Sequence, residues 1–146
     1  MSKVGRAAFD ASRRRLEKIT ATSKTLTLAE SGEIYAVALA ANCTITLPSA
    51  PENGTVYTFI VSSQAGDDEL IIDTGSDSRY FLGGVVHLDT TADENAVSVA
   101  PDGNSNSKLT LNDPLPGTRI ECVSDGTLWY LSGGVASATV PAFGDQ

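Results

Sequence analysis

The chain has 146 residues, 41% of them apolar and 6% aromatic, with 13 glycines and a formal net charge of −8. That length suits one domain around one core, and no run approaches the roughly 18 apolar residues of a membrane-spanning helix. The charge is divided: residues 1–24 carry seven of the ten basic side chains against Asp10 and Glu17, a net +5, while residues 25–146 carry three basic against sixteen acidic, a net −13.

A basic N-terminal arm over residues 1–24 is therefore expected to precede an acidic body. The start MSKVGRAAF lacks the apolar run of a secretory signal, so synthesis in the cytosol is expected. Within the arm, residues 6–19 contain no Gly or Pro and are rich in helix formers, which predicts either a short helix or a frayed, solvated arm that orders in a complex. Phe9 and Leu16, seven apart, would then share one thin apolar face suited to a partner's groove. Lys3, Arg6, Arg13, Arg14, Arg15 and Lys18 supply the charge around that pair.

From Thr25 the apolar period changes from helical to two, the signature of strands. Strands are predicted at Thr25 to Leu28, Ile34 to Leu39, Cys43 to Leu47, Thr55 to Ser62, Glu69 to Asp73, Val85 to Asp89, Ala96 to Ala100, Lys108 to Asn112, Thr118 to Ser124 and Thr127 to Leu131. About ten short strands at this spacing predict an all-β antiparallel sandwich or barrel-like body over residues 25–134. Val56 to Val61 and Leu128 to Leu131 are apolar at nearly every position and are expected at the sheet centre. Turns are expected at Glu30-Ser31-Gly32, Pro51-Glu52-Asn53-Gly54, Asp102-Gly103-Asn104, Pro114-Leu115-Pro116-Gly117 and Asp125-Gly126. Residues 135–146, VASATVPAFGDQ, read as an extended tail lying on a surface or a neighbouring subunit.

The chain is poorly equipped for catalysis. Leu70 to Ser76 resembles the strand and Asp-Thr-Gly signature of aspartic proteases, in which two such motifs share one proton. The match covers about six residues, without the Gly-rich flap or the later supporting strand of that family. Asp67, Asp68, Glu69, Asp73 and Asp77 form the densest acidic stretch but lack the alternation of a Ca²⁺ loop. His87 is the sole histidine, which excludes multi-histidine metal sites within one chain. Cys43 and Cys122 fall in alternating apolar runs and read as buried free thiols. No catalytic residue, metal or cofactor is expected. The −13 body opposes nucleic acid, and no aromatic residues interleave the Arg13-Arg14-Arg15 run, so an acidic protein surface is the better target.

The segments Thr20 to Tyr35, Cys43-Thr44-Ile45-Thr46-Leu47-Pro48 and Gly54 to Val61 together resemble small β-rich structural proteins of tailed bacteriophages. The similarity is best to capsid decoration, or cement, proteins; related modules occur in virion fibres. The resemblance implies a homotrimeric β domain that sits on the exterior of an assembled head and clamps neighbouring major capsid proteins. It carries no catalytic residue. On this reading Lys3, Arg6, Phe9, Arg13, Arg14, Arg15, Leu16 and Lys18 bind the capsid, with no direct nucleic-acid or membrane contact. The alternative is a tail-fibre or baseplate module that binds a receptor or carbohydrate through loop aromatics such as Tyr80 and Phe81. The aspartic protease is the remaining alternative.

Overall fold

The computed structural model describes residues 14–91 and 95–146. Thirteen strands form among them: β1 (Leu16–Ile19), β2 (Ser23–Thr25), β3 (Ile34–Leu39), β4 (Cys43–Thr46), β5 (Asn53–Gln64), β6 (Glu69–Asp73), β7 (Phe81–Gly83), β8 (Val85–Asp89), β9 (Ala96–Val99), β10 (Lys108–Asn112), β11 (Arg119–Asp125), β12 (Trp129–Ser137) and β13 (Ala142–Gly144). They make two sheets. The larger runs β1-β3-β5-β11-β12-β8-β9 with β7 added beside β12, and the smaller runs β13-β10-β6-β4-β2.

The fold is all-β, as the period-two pattern predicts, but the sheets are mixed and not antiparallel. β1, β3 and β5 pair parallel in one sheet, as do β2, β4 and β6 in the other. Successive strands alternate between the sheets, so each of these early turns crosses the core where a hairpin was expected. Pro51-Glu52-Asn53-Gly54, for instance, links β4 in the smaller sheet to β5 in the larger. Strands that return to the same sheet after such a crossing run in the same direction and pair parallel. Asp125-Gly126 does close a hairpin, between β11 and β12.

The alternation of the strands places one apolar stripe from each sheet inside. Tyr35, Tyr57, Phe59, Ile120, Cys122, Trp129 and Leu131 of the larger sheet meet Cys43, Ile45, Leu70, Ile72, Leu109 and Leu111 of the smaller, all buried. Aromatic rings thicken the larger sheet's side: Tyr35 stacks on Phe59 at 5.7 Å between centroids, and Tyr57 lies 6.0 Å from Trp129. Tyr57 brings a polar tip into this core, and its hydroxyl donates to the Thr27 carbonyl at 2.6 Å. β5 is central, between β3 and β11, as Val56 to Val61 predicts, with Tyr57, Phe59 and Val61 buried on its inner face. The run Leu128 to Leu131 enters β12, which lies inside the sheet between β11 and β8 as expected, with Trp129 and Leu131 pointing inward and Tyr130 exposed.

Three further expectations are corrected. The helix expected over residues 6–19 does not include Leu16–Ile19, which is an edge strand parallel to β3; residues 6–13 lie outside the described residues. Pairing to β3 and burial of Ile19 outweigh local helix preference, since a propensity of a few tenths of a kcal/mol per residue (~0.5) yields to tertiary packing. The strand expected at Thr25 to Leu28 stops at Thr25, and Leu28–Glu30 forms a 3-10 turn. There Thr27 and Glu30 form a capping box, its Thr-x-x-Glu spacing visible in the sequence. In the segment expected as a tail, β12 continues through Ser137 and Ala142–Gly144 pairs with β10.

Candidate functional site

Four of the eight residues expected to bind a partner, Arg14, Arg15, Leu16 and Lys18, stand at the rim of the larger sheet. Lys3, Arg6, Phe9 and Arg13 lie outside the described residues, so the expected Phe9–Leu16 pair is represented by Leu16 alone. β1 holds these side chains by its alternation: Leu16 and Lys18 point outward, and Glu17 and Ile19 point toward the neighbouring sheet. Leu16 is 62% exposed. The Arg14 guanidinium folds over the sheet's outer surface, where it donates to the Gly32 carbonyl at 3.1 Å and to Thr58 Oγ1 at 3.2 Å. Arg15 lies 3.2 Å from Glu33 and 3.8 Å from Glu17.

Behind β1 an ionic cluster, not foreseen from the sequence, locks this rim to the body. Glu17, Glu30 and Glu33 bring carboxylate oxygens within 4.8 Å of one another. The Lys24 ammonium lies between two of them, 3.1 Å from Glu17 and 2.8 Å from Glu30, and 5.7 Å above the Tyr35 ring centroid. The Glu30 hydrogen bond, with a smaller contribution from Glu17, raises the Lys24 pKa above its ordinary value despite the opposing cost of burial. Burial by itself would raise the Glu30 pKa, but hydrogen bonds from Lys24 and Thr27 outweigh it and lower the value. Burial pushes the Tyr35 phenol well up, and the nearby Glu30 and Glu33 charges push it further. The Tyr35 hydroxyl and Glu33 Oε2 are both buried without a hydrogen-bond partner among the described residues. The Lys24 ammonium bridges two of the three carboxylates, and the cluster links β1 to the body as a structural clamp. Of its parts, only the Thr27–Glu30 capping box had a sequence signal.

The other residues singled out by chemistry have structural settings. Asp73 Oδ1 accepts the Gly75 N–H at 2.9 Å, and Oδ2 accepts the Thr46 hydroxyl at 3.3 Å. Thr74 is buried and donates to the Ser76 carbonyl at 2.9 Å. Gly75 has φ +73°, and a Cβ there would stand 2.6 Å from the Leu47 carbonyl oxygen. A turn leaving β6 thus accounts for each residue of the Asp-Thr-Gly motif. The adjacent shallow cleft, about 350 Å³, is lined by Thr25, Thr46, Leu47, Pro48 and Gly75 among others, none of them ionisable. Phe81, expected as a loop aromatic, is fully buried in β7 and packs edge-on to Phe143. Its side chain is unavailable to a receptor because it belongs to the core.

His87 is also fully buried, with Nε2 3.0 Å from the Ser137 carbonyl oxygen and 3.1 Å from Ser137 Oγ. Cys43 and Cys122 are free and buried, one in each sheet. Burial raises the pKa of both thiols, which disfavours the reactive thiolate. No protein-family model matches the chain, and no curated protein matches it either.

Proposed function

We propose that this chain is a virion structural protein that binds the outside of an assembled bacteriophage head and stabilises it by clamping neighbouring major capsid proteins. The observation that carries the reading is the rim at β1. There an acidic body presents Arg14 and Arg15, just before β1, and Leu16 and Lys18 on β1, a strand held by the Lys24 clamp. The resemblance of residues 20 to 62 to capsid decoration proteins supplies the kind of partner. An all-β body suits a role in adhesion.

A ligand that binds the assembled lattice and not its free subunits stabilises the lattice by mass action. Association of three copies, the stoichiometry the resemblance implies, would bring three arms to neighbouring subunits at high effective concentration. The location that follows is the capsid exterior, after synthesis in the host cytoplasm.

The test uses heads purified from a phage lacking the gene for this chain. Full-length protein is expected to co-sediment with them and to raise the temperature at which they release DNA. Deletion of residues 2–13 should weaken co-sedimentation at least tenfold. Full-length protein that neither binds nor stabilises the heads overturns the reading.

A further inference from the structure

The outer surfaces of the two sheets differ in chemistry. On the smaller sheet, Thr25, Thr46, Asp73 and Lys108 form one outward row, and Ser23, Thr44, Ile71 and Thr110 form the next. Ile71 is the sole large apolar side chain in those rows, as expected for a face turned to water. The larger sheet departs from that rule. One outward row crosses all seven strands of its main path, in the order Lys18, Ala36, Ile60, Arg119, Gly134, Val86 and Ser98.

Other outward positions add Leu16, Ile34 and Ala38 on β1 and β3 and Val123, Tyr130, Ala136 and Leu88 on β11, β12 and β8, with Thr58, Glu121 and Ser132 as polar residues in the row of Leu16 and Ile34. Val86 is 44% exposed, Leu88 48% and Tyr130 47%. The surface is also positive on an acidic protein. Lys18 and Arg119 stand in the row itself, neither with a salt-bridge partner among the described residues. Arg14 covers Thr58 beside them; the acids on the outward positions of β11 are Glu121 and Asp125, and Asp125 accepts the Tyr130 hydroxyl at 3.0 Å.

From these observations we infer that the outer face of the larger sheet is a docking surface for an acidic protein surface with an apolar centre. This inference rests on the capsid-binding reading and names the face that makes the contact. Charge argues against a second copy laid face to face, which would set Lys18 and Arg119 against their own kind. Continuity argues for the same partner as the arm's, because Arg14, the first described residue after the arm, is bonded on this face. Area agrees. Six inter-strand spacings of about 4.8 Å and a height of about 15 Å give on the order of 400 Å², roughly half of what one partner buries in a standard interface. On the capsid-binding reading the arm's side chains would supply the rest.

The experiment compares full-length variants for binding to heads lacking this chain, with circular dichroism melts to verify folding. Val86→Asp with Leu88→Glu is expected to weaken binding at least tenfold, and Arg119→Glu about tenfold with a flatter salt dependence. Thr25→Glu, on the smaller sheet's outer face, should bind as the unsubstituted protein does. Wild-type-like binding by folded face variants overturns this inference and leaves the capsid reading standing. Failure of the unsubstituted protein to bind overturns both. Concentration-dependent self-association in analytical ultracentrifugation, abolished by the same face substitutions, would assign the surface to a second copy and likewise overturn the inference.

Discussion

Replacing Lys24 with Met keeps an unbranched stem over the Tyr35 ring while it removes the charge that bridges Glu17 and Glu30. The side chains of Lys24, Glu17 and Glu30 are 25%, 29% and 22% exposed, between a surface pair and a buried one. Exposed pairs contribute about 0.2–1 kcal/mol, and breaking a buried one costs about 3–5 kcal/mol, which places this loss near 1–2 kcal/mol. For a chain of this size the melting temperature should fall by roughly 3–7 °C at pH 7. The pH dependence has a defined sign. Glu30 has a lowered folded pKa, so its contribution is present above its ordinary value of 4.5 and is lost as pH falls through the folded value. Lys24 has a raised pKa, so its contribution holds below 10.5 and is lost as pH rises through the folded value. Calorimetry should therefore show a wide gap between wild type and Lys24→Met at pH 7 and a narrowed one at pH 3. Equal melting temperatures at pH 7, or a gap undiminished at pH 3, would refute the clamp.

Gly133 sits in β12 at φ +145°, where a Cβ would stand 2.0 Å from the Arg119 carbonyl oxygen of β11. Gly133→Ala should cost about 3 kcal/mol or more in urea unfolding, and a loss below about 1 kcal/mol would contradict that geometry. Cys43 and Cys122 should resist a thiol reagent in the native protein and both react in denaturant; fast labelling of either native thiol would count against their burial. Asp102 accepts backbone N–H groups of Asn104, Ser105 and Asn106 and the Ser105 hydroxyl. The Ser105 hydroxyl and these N–H groups hold its carboxyl down at about 2, which carboxyl-detected NMR should record in place of an ordinary aspartate titration. Deleting residues 2–13 should leave the melting temperature within about 1 °C, whereas deleting 2–18 removes Glu17 and most of β1 and should lower it. Equal melting temperatures for the two truncations would refute the structural role of β1.

How much was legible varied with the range of the forces involved. The predicted strands at Ile34 to Leu39, Glu69 to Asp73, Val85 to Asp89 and Lys108 to Asn112 match the observed bounds, because alternation is written in neighbouring residues. β7 and β13, three residues each, left no such trace, and β1 was hidden beneath good helix formers. At the rim formed by β1, the positions of Arg14, Arg15, Leu16 and Lys18 could be singled out by charge and apolar character. Their fixed arrangement could not, since it depends on Glu33, Thr58 and Lys24 brought from other segments of the chain.

The sequence by itself determined a β-rich chain, an acidic body and a basic beginning, because composition and period are local properties. Tertiary structure alone decided that the early turns cross between sheets, since a turn's residues set its bend but not which strand its neighbour will meet. It also decided which apolar residues lie outside. Val85, Val86, His87 and Leu88 read as one continuous run, and only the position of β8 between β12 and β9 buries Val85 and His87 and leaves Val86 and Leu88 exposed. Alternation sorts a strand's residues into two faces, and the second sheet chooses which face becomes core.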